Sequence, residues 1–115
     1  MQNISAPQLA TWLRDTRDAR DTQREHPVLI DVREPWEFNL CHIDGSIAIP
    51  MSRISQHWSD LNLNPEAEIV VICHHGQRSL HAGLFLEHQG FSHVTNLVGG
   101  IAAWAHQVEP AMPTY

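Results

Sequence analysis

The sequence contains no lysine and few charged residues of any kind. All seven of its basic residues are arginines, and charged residues make up 17% of the 115 positions. The absence of lysine excludes any chemistry that runs through a Schiff base on a lysine side chain. The net charge of −6 argues against a nucleic acid partner, because phosphate binding requires a basic surface.

Cysteine and long apolar runs are also scarce. The two cysteines, Cys41 and Cys73, do not make a disulfide framework, and a reducing compartment suits a working thiol. No apolar run approaches the ~20 residues that a membrane span needs. The first ten residues lack the basic and then apolar regions of a secretory signal. We therefore expect a cytoplasmic protein that does not associate with membranes.

The charges that are present lie mostly in the first part of the chain. Residues 1–69 contain eleven acidic residues against six arginines. After residue 69 the only charged residues are Arg78, Glu87 and Glu109, together with six histidines. The part of the chain that carries Cys73 is therefore nearly neutral and does not repel a small anion.

The length and the alternation of patterns predict one α/β domain over residues 1–115. Strand-like runs alternate with helical patterns, which indicates a parallel sheet with helices on both faces. The charge run at residues 14–25 is typical of a solvated face or loop. Residues 109–115 contain two prolines and are expected to fray.

The predicted strands are residues 28–32, a short one around Ile47, 69–72 and 94–97. Five helices are predicted. The first begins at Ser5, the second follows Arg33, and the third covers residues 52–61. The fourth begins at Ser79, and the fifth contains Trp104.

The most informative stretch is residues 69–90. Four consecutive apolar residues at 69–72 predict a strand that is buried on both faces, and Cys73 stands where it ends. Residues 74–78 read as a tight loop, and a helical pattern from Ser79 ends at Gly90. In open α/β sheets, ligands bind at the carboxyl ends of the strands. Cys73 is therefore predicted to lie in a binding site.

The same stretch predicts an anion cradle. A loop that curls around the cysteine sulfur directs backbone N–H groups at one point, and the helix behind it adds its positive end. Both favour the thiolate of Cys73, which acts as the nucleophile. Gly76 allows a positive φ, and Arg78 supplies a permanent planar cation that faces an anion. His74, His75 and Gln77 are predicted to rim the mouth, and Ser79 begins the helix.

Four blocks of the sequence resemble the single-domain rhodaneses, and they occur in the order and spacing of that family. They are LIDVREPWEF (29–38), HIDGSIAIP (42–50), VVICHHGQRS (70–79) and GFSHVTNLVGGIAAW (90–104). The resemblance implies a compact α/β domain with a central, mostly parallel five-stranded sheet. It also implies a sulfurtransferase that carries sulfur as a persulfide on Cys73.

The reaction that this implies is a double displacement without cofactor or metal. A small anionic donor such as thiosulfate loads Cys73, and an acceptor then removes the sulfur. The acceptor would be cyanide in an assay, or a thiol or sulfur-carrier protein in a cell. The loop of residues His74, His75, Gly76, Gln77, Arg78 and Ser79 would hold the anionic groups.

Other readings of these residues stay open at this stage. A metal site at Cys73, His74 and His75 is disfavoured, because consecutive side chains diverge. A phosphatase or arsenate reductase could use the same thiolate on a related fold, although such phosphatases have five residues between cysteine and arginine, and here there are four. A third alternative is a module that binds a partner protein and carries the persulfide without turnover.

Two positions depart from the family pattern. Cys41 stands where a glycine commonly precedes the His-Ile pair, and it supplies a second thiol that could resolve a persulfide, although a local substitution is the simpler interpretation. Gly83 lies in the middle of the helix after Cys73. It costs that helix about 1 kcal/mol unless close packing requires a glycine.

Overall fold

A computed structural model of the chain describes residues 1–20 and 23–115. The strands are β1 (Gln2–Ile4), β2 (Val28–Asp31), β3 (Ile47–Ala48), β4 (Glu68–Ile72) and β5 (His93–Leu97). The helices are α1 (Ala6–Arg17), α2 (Pro35–Leu40), α3 (Ile54–His57), α4 (Gln77–His88) and α5 (Gly100–Gln107), with a 3₁₀ turn at Trp58–Leu61. The charge run predicted to be a solvated face or loop begins inside α1, and its residues 21 and 22 lie outside the described part.

The five strands form one parallel sheet in the order β1-β5-β4-β2-β3. In β4, Val70 pairs with Leu29 of β2 and with Thr95 of β5, so β4 is hydrogen-bonded on both edges. The strand is nearly all apolar because both of its faces are also covered by helices. This confirms the predicted α/β fold with a parallel sheet.

Alternate residues of β4 enter two separate cores. Val70 and Ile72 pack with α1 and α5 on one face of the sheet. Ile69 and Val71 pack with α4 on the other face, and Cys73 continues that alternation. The period of two residues in a strand therefore places the cysteine on the α4 face.

Several predicted details are confirmed. Ser5 and Gln8 form a reciprocal capping box, in which each side chain accepts from the other residue's backbone N–H (3.3 and 3.0 Å). Gly90 follows α4 with a φ of +107°. Gly83 is closely packed, since an added Cβ would meet Met1 Sδ, near the end of a flexible side chain, and would lie 3.3 Å from Val71 Cγ2.

Three features differ from the sequence predictions. Strand β1 was not predicted, because three residues with one buried side chain carry no readable alternation. Helix α4 begins at Gln77 and not at Ser79, since Gly76, with a φ of +105°, already turns the chain into the helix. The tail, residues 109–115, was expected to fray, but it packs on the molecule: Met112 is buried in the α1–α5 core.

No helix within the described ranges, 1–20 and 23–115, is long and apolar enough to cross a membrane.

Candidate active site

Cys73 follows the carboxyl end of β4, beside the neighbouring strand β5. The helices that follow β4 and β5, α4 and α5, lie on opposite faces of the sheet. This is the position at which ligands bind in open α/β sheets. The cysteine is only 1% exposed.

The chain around the cysteine is fastened to the start of α5. The carbonyl oxygens of Cys73 and His74 accept from the N–H groups of Ile101 (2.9 Å) and Ala102 (3.1 Å). With these carbonyls turned away, the N–H of Gly76 donates to Cys73 Sγ at 3.0 Å. This is the type of contact that the predicted anion cradle requires.

A buried polar chain fixes the other side of the sulfur. Asn96 donates from Nδ2 to the carbonyl of Gly76 (3.1 Å), so its Oδ1 faces Ser79. The Ser79 hydroxyl donates to that oxygen (2.5 Å) and lies 3.3 Å from Cys73 Sγ. Because the hydroxyl has a single hydrogen and donates it to Asn96, the hydroxyl presents a lone pair to Cys73 Sγ.

Arg78 is held by a carboxylate that the sequence did not single out. Its Nη1 and Nη2 donate to Oε1 and Oε2 of Glu37 at 2.7 and 2.9 Å. The Glu37 side chain is 4% exposed, and the hydrogen bonds from Arg78 are the main cause that lowers its pKa to about 2. The same hydrogen bonds raise the pKa of Arg78, and the charge of Cys73 adds to that shift. The cation next to the cysteine is therefore already paired with an acid.

A second ion pair lies behind the first one. Asp31 and Arg33 are fully buried, and Arg33 Nη2 lies 2.7 Å from Asp31 Oδ2. Asp31 Oδ1 also accepts from the backbone N–H of Arg33 (3.1 Å), which is the scaffold role that its place at the end of a strand predicts. Arg33 Nη1 donates to the hydroxyl of Tyr115 (3.0 Å), and this hydroxyl donates to Glu37 Oε2 (2.6 Å).

The histidines of the loop differ in their surroundings. His75 and Gln77 are exposed, whereas His74 is half-buried. The His74 ring stacks on Tyr115, with 4.0 Å between the centroids, and contacts His75 at 3.9 Å. Burial is the main cause that lowers the pKa of His74, and the neighbouring His75 adds to it. His74 is therefore neutral near pH 7.

Cys41 contacts Arg33, whose Nη2 donates to the Cys41 carbonyl (2.6 Å) and whose Nη1 lies 4.0 Å from Cys41 Sγ. It packs in the α1–α5 core, on the opposite face of the sheet from the core that contains Cys73. Its φ of −163° is an extended conformation that any residue adopts, so the departure from glycine causes no strain. This placement argues against direct exchange between the two thiols.

Within the described residues, no group of three or more histidine, cysteine, aspartate or glutamate side chains could hold a metal ion.

The residues missed by the sequence analysis come from other parts of the chain. Asn96, Glu37 and Tyr115 all bond to the loop or to its partners. The signal for Asn96 was a polar residue in the middle of a buried strand, which must find a partner. Glu37 and Tyr115 gave no comparable signal, because each lies in a segment that reads as surface.

A parallel α/β sheet with a buried cysteine whose sulfur accepts from a backbone N–H of the following loop defines a class of cysteine-dependent domains. The sequence profile of the Rhodanese-like domain matches residues 9–107, and the chain belongs to this family. It is 40% identical over 89% of its length to the probable adenylyltransferase/sulfurtransferase MoeZ of Mycobacterium tuberculosis. It is 36% identical over 75% of its length to the thiosulfate sulfurtransferase GlpE of Pseudomonas fluorescens.

A solved structure shows the same fold. The rhodanese-related protein of Thermoplasma volcanium superposes with a TM-score of 0.77 at 30% identity, over 96% of both chains. The chain spans 26% of MoeZ but 77% of GlpE. The chain is thus a rhodanese-like domain with sulfurtransferases among its relatives.

Proposed function

We propose that this chain is a sulfurtransferase that carries sulfane sulfur on Cys73. The observation that supports this most strongly is the N–H of Gly76, which donates to Cys73 Sγ at 3.0 Å inside a loop fastened to α5. Backbone donors that are already oriented stabilise negative charge on sulfur without reorganisation. The relationship to GlpE makes thiosulfate the donor to test first.

The proposed reaction has two displacements. The Cys73 thiolate attacks the outer sulfur of thiosulfate, the sulfur–sulfur bond of the donor breaks, and sulfite leaves with the electron pair. A nucleophilic acceptor then attacks the outer sulfur of the persulfide, and the Cys73 thiolate leaves. The covalent intermediate divides one difficult transfer into two easier steps. The acceptor in the cell is a thiol or a sulfur-carrier protein.

The loop residues have distinct roles in this proposal. Gly76 and the other N–H groups of the loop hold the charged outer sulfur. Arg78 lies beside the cysteine and faces the anionic donor, with its charge partly balanced by Glu37. His75 and Gln77 are exposed at the mouth, where they contact the donor and the acceptor. His74 is neutral and packed under Tyr115, so it shapes the wall of the mouth.

Mass spectrometry of the intact protein tests this function. After incubation with thiosulfate, we expect one added sulfur atom that cyanide removes. The Cys73→Ser variant should show no addition. No added sulfur on the folded wild-type protein would refute the proposal. A persulfide that forms but is not passed to cyanide or to any thiol would instead favour the partner-binding module.

A further inference from the structure

The hydroxyl of Tyr115 joins the two ion pairs that flank the cysteine loop. It accepts from Arg33 and donates to Glu37, and its direction is settled because a guanidinium only donates and a carboxylate only accepts. Burial and the hydrogen bond to Glu37 raise the pKa of Tyr115 to about 12. The phenol therefore keeps its proton, and its hydrogen bond to Glu37, throughout the neutral range.

The carboxylate of Glu37 is clamped at both oxygens. Oε1 accepts from the N–H of Glu34 (2.9 Å) and from Arg78, and Oε2 accepts from Tyr115 and from Arg78. Because the Arg78 pair is bidentate, the plane of the carboxylate sets the plane of the guanidinium. Without the Tyr115 hydroxyl, only the Glu34 N–H would restrain this carboxylate from the side away from Arg78.

The tail that carries Tyr115 lies beyond the part of the chain that matches the family. That match ends at residue 107. Met112 anchors the tail in the core, and the Tyr115 ring contacts both His74 (4.0 Å) and Trp36 (5.5 Å, edge to face). Between the tail, His74 and α5 there is a cavity of about 80 Å³. The ring contacts hold Tyr115 against the molecule in addition to the hydrogen bonds of its hydroxyl.

We propose that Tyr115 is a positioning residue that holds Arg78, through Glu37, in the orientation that attracts an anion to Cys73. The part of this proposal that concerns the sulfur donor rests on the proposed sulfurtransferase function. The orientation of Arg78 does not rest on it, because any small anion that approaches Cys73 senses the same cation.

Alkylation of Cys73 separates these two parts. Iodoacetate is an anion and iodoacetamide is neutral, so the ratio of their rates reports the positive charge that faces the sulfur. We expect Tyr115→Phe, which keeps the ring and loses the hydroxyl, to lower this ratio about fivefold. This is less than the roughly tenfold or greater change that full loss of a hydrogen bond to a charged group implies, because Arg78 keeps its charge and loses only part of its orientation. The alkylated peptide is identified by mass spectrometry so that Cys41 does not contribute. Thr114→Ala, an exposed change in the same tail, should leave the ratio as it is.

The Arg78→Gln background provides the decisive comparison. In that background Tyr115→Phe should no longer change the ratio, since there is no guanidinium left to position. An unchanged ratio in the single variant, or an equal decrease in both backgrounds, would overturn the proposal. In the thiosulfate assay, Tyr115→Phe should raise KM with little change in kcat. If the wild-type protein forms no persulfide, the proposed function fails while the alkylation ratio still decides the role of Tyr115.

Discussion

Arg78 and Glu37, 41 residues apart in the chain, form a two-point ion pair with N–O distances of 2.7 and 2.9 Å. The sequence predicts a cation that faces an anion at this position. The structure pairs that cation with a carboxylate that is nearly fully buried. The attraction that an incoming anion senses therefore depends on how Glu37 orients the guanidinium as well as on its charge.

Arg78→Gln should impair the use of thiosulfate more than the use of an uncharged organic trisulfide. Loss of a charge-assisted hydrogen bond of about 1.5–3 kcal/mol predicts roughly a tenfold to hundredfold decrease in kcat/KM for the anion. The measurement is steady-state kinetics with both donors. The Glu37→Gln/Arg78→Gln double variant controls for the carboxylate left unpaired in the single variant. Equal losses for both donors in both variants would leave Arg78 a structural role only.

Cys73→Ser should abolish sulfur transfer and leave the fold intact, because the hydroxyl is nearly isosteric with the thiol but does not ionise near neutral pH. Cys41→Ala is the matched control, since this residue is a buried cysteine in the other core. We expect the control to retain most of the activity in a thiosulfate:cyanide assay. An inactive but folded Cys41→Ala protein would require a relay between the two thiols.

Gly100→Ala should damage the cysteine loop directly. A Cβ at Gly100 would lie 2.3 Å from the carbonyl oxygen of Cys73 and 2.5 Å from that of His74, and neither backbone group can move freely. We expect a loss of about 3 kcal/mol in unfolding free energy, or an unfolded protein. Gly45→Ala is the control, because Gly45 also has a positive φ (+84°) but has open space around it. Denaturant unfolding of both variants should show the larger loss at Gly100, and equal losses would mean that backbone strain alone is responsible.

The ion pair of Glu37 should make the stability of the fold depend on acid pH. Its pKa is about 2 in the folded protein against an ordinary value of 4.5. The charged carboxylate therefore stabilises the fold above about pH 4.5, and the contribution is lost as the pH falls toward 2. The full effect is about 3 kcal/mol. Denaturant unfolding across this range should show the difference between wild type and Glu37→Gln shrinking as the pH falls. A difference for Glu37→Gln that stays constant across this range would contradict the assignment.

The chain should not hydrolyse aryl phosphates. Cysteine phosphatases need an arginine at the sixth position after the nucleophile, and here Ser79 occupies that position. Its hydroxyl bonds to Asn96 and lies 3.3 Å from the sulfur, which leaves little space for the equatorial oxygens of phosphate. The same preparation should be assayed with an aryl phosphate and with thiosulfate plus cyanide. Phosphatase turnover that disappears in Cys73→Ser, without any persulfide, would reverse this assignment.

The sequence by itself determined the local features of this protein. The apolar run 69–72 and the glycine at position 76 predicted a strand and a turn, since each depends on neighbours within a few residues. The nucleophile role of the cysteine between them stays a prediction. The capping box at Ser5 and the helix end at Gly90 were readable for the same reason. The order of these elements was sufficient for the α/β fold, because parallel strands need helical crossovers.

The tertiary structure alone decided which distant side chains complete the site. Glu37, Asn96 and Tyr115 reach the cysteine loop or its partners from α2, β5 and the tail, through hydrogen bonds that span 17 to 82 residues. Such contacts have no period and no local pattern, so nothing in the sequence singles them out. Those of Glu37 and Asn96 form because a buried carboxylate or amide must find a partner once the sheet has closed, and the available partner is set by the packing.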